Sequence, residues 1–329
     1  MIWRRVGLAL VMIWMTVTAT FFIVRLMPGN PATFELHVLL KRGVSYNMAL
    51  QHVKTLYGIN LHQSLLVQYL QYVGNALHGN FGDSILYPDI PVIHLIGKAL
   101  PWTVFTVGTA LLTSFLIGVS LGTVAAYRRH GWLDRLLTPL AAILNGVPNY
   151  LTGTILLFVF GVVLGWLPQN GPYSAAITPN VSLAFLISVL RHAILPIGAY
   201  VISQWGSWFL LMKSSTVSTL GTEFIVGARS YGIASSVVMR EYVAPNSMLP
   251  LFTNLVLSIG FMFGGSVFVE TIFSYPGIGY LFSSSVSGRD YPLMQGLFAV
   301  LTVAVIISNL VADLLYVKLD PRISLEDAA

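Results

Sequence analysis

The chain has 329 residues, of which 56% are hydrophobic and only 9% are charged. About a quarter of the residues of a soluble protein are charged, so this composition excludes an ordinary soluble domain. The absence of cysteine excludes disulfides, iron–sulfur clusters and thiol catalysis. The net charge of +5 does not indicate nucleic acid, because cytoplasmic loops of membrane proteins collect Lys and Arg and no basic patch here is interleaved with aromatic residues.

Long uncharged runs recur along the chain. A helix needs about 20 apolar residues to cross a hydrocarbon core of ~30 Å. Runs of this kind cover residues 6–24, 101–127, 136–190, 242–269 and 291–312. Their recurrence predicts an all-α polytopic membrane protein, whose surroundings are a lipid bilayer.

Residues 1–27 are predicted to form the first transmembrane helix. Arg4 and Arg5 precede its uncharged stretch, an arrangement that a cleaved signal peptide shares. The apolar run is longer than that of a usual signal peptide, and no small-residue cleavage site follows it. We therefore predict an uncleaved span with a cytoplasmic N-terminus.

Residues 28–100 are predicted to form an extracytoplasmic insertion. Within it, Leu65, Tyr69 and Val73 recur at helical spacing on one face. Such a helix is expected to lie on the bilayer surface or to cover the mouth of a bundle. A folded cap and a docking surface for an external partner both fit it.

Residues 101–318 are predicted to form a core of five further helices. The predicted spans are 101–127, with Pro101 at its start, a third that ends near 167 after a break at 145–149, then 191–213, 246–273 and 292–316. Residues 181–190 are too short to cross the bilayer and are placed at its outer interface. In the fifth span, Gly260, Gly264 and Gly265 are of the small type that lets membrane helices approach closely.

The orientation follows from the short loops. Arg128, Arg129 and Arg135 surround the loop after the second span, which the positive-inside rule places in the cytoplasm. The prediction is six spans with both termini inside, and residues 319–329 form a cytoplasmic tail.

A long polar loop, residues 214–245, separates the fourth and fifth spans. Residues 223–229 and 233–241 are predicted to form two short helices that meet at Gly232, because glycine adopts backbone angles that other residues avoid. A short helix of this kind fits a groove of a motor protein and would pass its movement to the neighbouring spans. A surface connector without a partner fits the spacing equally well.

The sequence lacks known motifs for catalysis, nucleotide binding or metal binding. The sequence has no Walker A pattern, no H-E-x-x-H, no G-x-S-x-G and no Cys/His metal cluster. Carboxylates within the spans are almost absent, so a proton relay or a voltage sensor lacks its groups. We expect no catalytic residue, metal or cofactor in this chain, and a transporter of this kind must borrow energy or run downhill.

Several motifs carry a resemblance to one family. E-F-I-V-G-A-R-S-Y-G at 223–232, followed by L-P at 249–250, resembles the "EAA" loop of ATP-binding-cassette (ABC) importer permeases, in the form used by the peptide branch. Other matching motifs are M-P-G-N-P at 27–31, G-N-F-G-D-S at 79–84, V-E-T-I-F-S-Y-P-G-I-G at 269–279, R-D-Y-P at 289–292 and L-D-P-R at 319–322. The chain therefore resembles the B-type permease subunit of the dipeptide/oligopeptide (peptide/nickel) family. Ser230 and Tyr231 depart from the pattern, where the branch commonly has Ala and a basic residue.

The resemblance implies a type I ABC importer permease fold with an extracytoplasmic insertion after the first helix. It implies that Glu223, Ala228, Arg229 and Gly232 form the region that couples to the ATPase. The implied partners are a second, C-type permease subunit, two ATP-binding subunits that hold ATP and Mg, and an extracytoplasmic peptide-binding protein. The expected function is import of dipeptides or oligopeptides across a bacterial cytoplasmic membrane.

Three alternatives remain open from the sequence. An importer of the same architecture for nickel, glutathione or haem would use the same permease fold, and the scattered histidines disfavour nickel only modestly. A self-sufficient channel or secondary transporter would move solute with no ATPase present. An intramembrane enzyme would need a nucleophile–base pair, which the sequence does not offer.

Overall fold

The computed structural model describes residues 2–26, 36–37, 39–57, 64–180, 182–261 and 266–319. In this part of the chain the regular elements are helices, and the one β-bridge joins Asp83 to Pro91. The predicted all-α class is therefore confirmed. The helices are α1 (Ile2–Leu26), α2 (Tyr46–Tyr57), α3 (Leu65–Leu77), α4 (Val92–Tyr127), α5 (Trp132–Asn145), α6 (Asn149–Leu156), α7 (Leu183–Leu220), α8 (Glu223–Ser230), α9 (Ser235–Val237), α10 (Ala244–Phe261), α11 (Val267–Ile272), α12 (Ile278–Ser287) and α13 (Tyr291–Leu319).

Four of these helices are long and apolar enough to cross a membrane: α1, α4, α7 and α13. Helices α5 and α6 bend by 101° at the break that Gly146 and Pro148 form, and they provide a fifth span if they are counted together. Helix α6 continues as the π-helix Leu157–Val163. The predicted fifth span, 246–273, contains residues 262–265, which lie outside the described part, as do Gly264 and Gly265. The described residues thus support a multi-pass membrane protein, and the count of six stays a prediction.

The predicted helix start at Pro101 is wrong, because α4 already begins at Val92. A proline inside a helix costs about 3 kcal/mol through its missing N–H donor and its ring. The turns before it are stabilised by burial, since Val92 and Ile96 pack in a cluster with Leu293 and Leu297. Tertiary packing therefore extends the helix past the local breaker.

The predicted boundary between residues 181–190 and the fourth span is also wrong, because α7 runs without interruption from Leu183 to Leu220. The side chain of Ser182 caps its start by accepting a hydrogen bond from the Phe185 backbone N–H at 3.3 Å. Arg191 and His192 had indicated a helix start. Their side chains instead bond to the backbone oxygens of Trp166 (3.1 Å) and Ser188 (2.7 Å), so their polarity is satisfied within a continuous helix.

The chain divides into two compact units, which are described separately. The first contains the described residues within the ranges 1–103, 263–267 and 276–310. In this unit the amphipathic helix predicted near residues 65–77 is confirmed as α3. Its Tyr69 packs against Phe21 and Phe22 of α1, and the Tyr69 hydroxyl lies 2.7 Å from that of Thr18. The four leucines of α3 stay exposed, and its placement at a bilayer surface stays a prediction.

A buried carboxylate joins two turns of the same unit. Asp290 is fully buried, and it accepts hydrogen bonds from the Ser84 hydroxyl, the backbone N–H groups of Ile85 and Leu86, and the N–H of Leu293. Burial raises the pKa of nearby Tyr87, and the charge of Asp290 adds to the effect. The motifs at 79–84 and 289–292 are therefore joined by one carboxylate.

The second unit contains the described residues within the ranges 104–262, 268–275 and 311–329, and within it α7 contacts α5, α6 and α10. Glycines allow its closest helix contacts. A Cβ on Gly118 would lie 2.5 Å from the Cβ of Trp208, and one on Gly206 would lie 2.5 Å from the Ala141 oxygen. Gly118 and Gly122 form a G-x-x-x-G pair, which is a sequence signal for close helix approach. The predictions from sequence did not include this pair.

Candidate functional site

The segment between α7 and α10 begins with α8, an eight-residue helix. Thr222 precedes it in an extended conformation, and its hydroxyl donates to the Thr219 oxygen at 2.6 Å. Glu223 occupies the first turn and Arg229 the last. Each charge has the sign that stabilises its end of the helix dipole, so the predicted first helix of the loop is confirmed with nearly the predicted bounds.

One face of α8 is buried by the rest of the loop. Ile225 and Ala228 lie three residues apart and therefore on the same side of the helix. They form a cluster with Val238 and Val243, all four nearly or fully inaccessible to solvent. The loop is therefore a packed structure with a small core of its own.

Gly232 closes the C-terminal end of α8. Its φ is +74°, and its N–H donates to the Arg229 oxygen at 3.0 Å while the Ile233 N–H donates to the Ala228 oxygen at 3.3 Å. This pair of bonds, with Ile233 packed against the cluster that contains Ala228, is a Schellman motif. The first helix of the loop therefore ends at Gly232, as predicted, and the structure shows that the backbone there is left-handed.

The second predicted helix of the loop has different bounds. It was expected over residues 233–241, but α9 begins at Ser235 and continues through the π-helix Val238–Val243 into α10. Ile233 completes the Schellman turn, and Ala234 precedes α9 with a non-helical backbone, at a ψ of 136°. Packing of Val238 and Val243 onto α8 keeps the helical path continuous, so the second helix of the loop is the beginning of α10 and not a separate element.

The outer face of α8 and its end expose both apolar and charged groups. Phe224 is 50% exposed and Tyr231 is 89% exposed. Glu223 and Arg229 are exposed as well, and neither side chain forms an ion pair or hydrogen bond with any described residue. This surface therefore offers aromatic area and two unpaired charges of opposite sign.

Hydroxyl groups join the two helices that flank the segment. The Ser215 hydroxyl donates to the Ser247 oxygen at 2.8 Å, the Ser247 hydroxyl donates to the Thr219 hydroxyl at 3.0 Å, and the Thr219 hydroxyl donates back to the Ser215 oxygen at 2.9 Å. This closed network links the last turns of α7 to the first turn of α10. The two helices that flank the segment are therefore hydrogen-bonded directly to each other.

The four predicted site residues lie close together, on α8 and at its end. Ala228 is a core residue of the loop, whereas Glu223, Arg229 and Gly232 are exposed. The exposure of Phe224 was not predicted, because the uniformly apolar composition conceals it. The hydroxyl network was not predicted either, and only the spacing of Ser215 and Thr219, four residues apart, could have indicated it.

The geometry defines a class of protein: a multi-pass helical membrane component with an exposed helix fixed to two of its long helices. The comparison with known protein families agrees with this class. Residues 118–325 match the family described as binding-protein-dependent transport system inner membrane component. The chain belongs to this family, which confirms the resemblance that the motifs carried.

Individual relatives extend the match over nearly the whole chain. The oligopeptide transport system permease protein AppB of Bacillus subtilis is 32% identical, with 92% of each chain covered. The dipeptide transport system permease protein DppB of Lactococcus lactis subsp. cremoris is 31% identical over 98% of each chain. The glutathione transport system permease protein GsiC of Salmonella paratyphi A is 32% identical over 92% of each chain.

Proposed function

We propose that this chain is a pore-forming subunit of an ATP-driven importer that carries dipeptides or oligopeptides across the bacterial cytoplasmic membrane. The exposed aromatic surface of α8 carries the proposal. Exposed aromatic residues on a rigid, polar-flanked helix are typical of sites that bind another protein. The names of AppB and DppB support the peptide substrate.

In this proposal α8 is the coupling helix, and Phe224 and Tyr231 insert into a groove of an ATPase subunit. Glu223 and Arg229 supply charges for the rim of that contact. Ala228 packs the helix against the core of the loop, and Gly232 ends the helix. ATP and Mg are held by two ATP-binding subunits, so this chain needs no catalytic residue or cofactor. A C-type permease subunit completes the pore, and residues 28–100 face an extracytoplasmic peptide-binding protein.

The transport cycle follows from that assembly. ATP binding closes the ATPase subunits and moves the coupling helices, and the pore turns outward to take its substrate. Hydrolysis resets the pore inward. Both termini of this chain lie in the cytoplasm in this arrangement, on the same side as α8.

The absence of cysteine gives a direct test of the docking surface. Tyr231→Cys in the assembled importer is expected to cross-link to an ATPase subunit, with a yield that changes on ATP binding. The matched control is Leu77→Cys in α3, a position that is 81% exposed and lies in the outer insertion. Equal cross-linking of both variants to the ATPase, or none from Tyr231→Cys, would contradict the proposed contact.

Import of glutathione is the second candidate, because GsiC is as similar as the peptide permeases and glutathione is itself a short peptide. Proteoliposomes that contain the full importer are loaded with ATP and given labelled dipeptide, pentapeptide or glutathione with the binding protein. The proposal expects ATP-dependent uptake of the peptides. Uptake of glutathione alone supports the second candidate, and uptake by this chain without ATPase subunits excludes both.

A further inference from the structure

A basic pocket lies between the first turns of α5 and the last turns of α7. Its volume is about 550 Å³, and its polar lining includes Arg129, Asp134, Arg135, Thr138 and Lys213. All of its residues belong to the second unit. Nothing in the proposed coupling mechanism uses this pocket.

The carboxylate that lines the pocket is already neutralised. Asp134 forms an ion pair with Lys213 and accepts hydrogen bonds from the Thr138 hydroxyl at 2.9 Å and from the backbone N–H of His130 at 3.0 Å. The Lys213 ammonium also donates to the Thr138 hydroxyl at 2.8 Å. These partners satisfy the lysine and the carboxylate together, so their charges cancel inside the pocket.

Two positive charges remain. The guanidinium groups of Arg129 and Arg135 are exposed and make no hydrogen bond or ion pair with the described residues. Guanidinium groups present several N–H donors in a planar fork that matches phosphate oxygens. The pocket is therefore complementary to an anionic phosphate group.

An apolar stripe begins beside the pocket on α5. Trp132, Leu136, Leu140 and Ile143 recur at spacings of four, four and three residues, so they share one face of the helix, and all four are exposed. Arg135 and Pro139 lie on the adjoining face and line the pocket. Tryptophan is enriched at the level of lipid headgroups, and Trp132, which is 71% exposed, stands at the same end of α5 as the arginines.

We propose that this pocket binds the phosphate headgroup of an anionic phospholipid, with the acyl chains along the Trp132–Ile143 stripe. A soluble anion would need the arginines but not the stripe, and an uncharged lipid would need the stripe but not the arginines. Only an anionic amphiphile uses both. Basic pockets between membrane helices are known to select anionic headgroups, and in the predicted orientation this one faces the cytoplasmic leaflet.

Native mass spectrometry of the detergent-purified full chain tests the proposal, by titration with phosphatidylglycerol and with phosphatidylcholine. The matched pair of variants is Arg129→Gln, which removes a pocket charge, and Arg128→Gln, which removes the same charge one residue away, outside the lining. One basic residue near a membrane surface contributes about 1 kcal/mol to attraction. We therefore expect Arg129→Gln to weaken phosphatidylglycerol binding about fivefold and Arg128→Gln to change it less than about twofold.

Three results would overturn the proposal. Equal losses in the two variants would show diffuse surface attraction without a site. Equal affinity for the two lipids would mean that the stripe alone binds, as it would bind any lipid or a partner helix. Displacement of phosphatidylglycerol by inorganic phosphate, together with binding of phosphate to lipid-free protein, would identify a soluble anion as the occupant.

Discussion

Replacing Gly232 with alanine tests whether the turn at the end of the coupling helix controls coupling. A side chain in the left-handed region costs about 1–2 kcal/mol. A Cβ at Gly232 would meet nothing within 4 Å, so no steric clash adds to this cost. Alanine also lowers the conformational entropy of the unfolded chain, which stabilises the folded state by about 0.4–1 kcal/mol. The net loss of stability at this turn is therefore about 1 kcal/mol.

A loss of this size shifts the equilibrium between closed and frayed turns about fivefold. Hydrogen exchange at the amides of residues 232 and 233 should therefore be about five times faster in Gly232→Ala, since both donate in the Schellman motif. The amount of substrate transported per ATP hydrolysed should fall in the same variant. Gly232→Asn should stay close to wild type because asparagine tolerates this region. Gly232→Pro should lose about 3 kcal/mol because proline cannot adopt the angle or donate the bond.

Gly227→Ala is the matched control, since it makes the same chemical change on the same helix. Gly227 is helical, has no positive φ and has open space around its Cβ position. Alanine should stabilise α8 by about 1 kcal/mol and slow exchange. If the two alanine variants shift hydrogen exchange in the same direction, the argument from the left-handed backbone at Gly232 is refuted. If Gly232→Pro transports substrate and hydrolyses ATP like the wild type, the loop is a passive connector.

Three further variants probe stability, each by the thermal unfolding midpoint in detergent. Asp290→Asn should lose about 3 kcal/mol, because an amide cannot accept all the bonds of the buried carboxylate, whereas the exposed Asp89→Asn should change stability by less than about 0.5 kcal/mol. Lys213→Met should lose about 3 kcal/mol because its partner carboxylate stays buried without its counter-charge. Gly206→Ala should lose about 2 kcal/mol, since its Cβ would lie 2.5 Å from a backbone oxygen of α5, whereas Gly108→Ala, which has open space, should be neutral or stabilising.

Sequence signals predicted the parts of the coupling loop that depend on neighbours in the chain. The bounds of α8 and the turn at Gly232 follow from local propensity and from the conformational freedom of glycine. The break between α5 and α6 follows from Gly146 and Pro148 in the same way. These features need only a few consecutive residues to be specified, so a single sequence contains enough information to find them.

Features that depend on distant residues were not predictable. Helix α4 continues through Pro101 because its first turns are buried by residues of α12 and α13, nearly two hundred positions later in the sequence. For the same reason, the sequence did not show which face of α8 is buried and which is exposed. In a chain that is 56% hydrophobic, polarity does not distinguish Ile225, which faces the loop core, from Phe224, which faces outward.

The hydroxyl network decides what movement of the coupling helix would do. Each of its three hydrogen bonds contributes about 1 kcal/mol, and the Ile225 cluster adds burial on the inner face of α8. A flexible loop would absorb a displacement through its own backbone angles, but this segment is packed against itself, and the helices at its two ends are bonded to each other through Ser215, Thr219 and Ser247. Under the proposed function, a push on Phe224 and Tyr231 therefore reaches α7 and α10 together, so these helices should move as a pair.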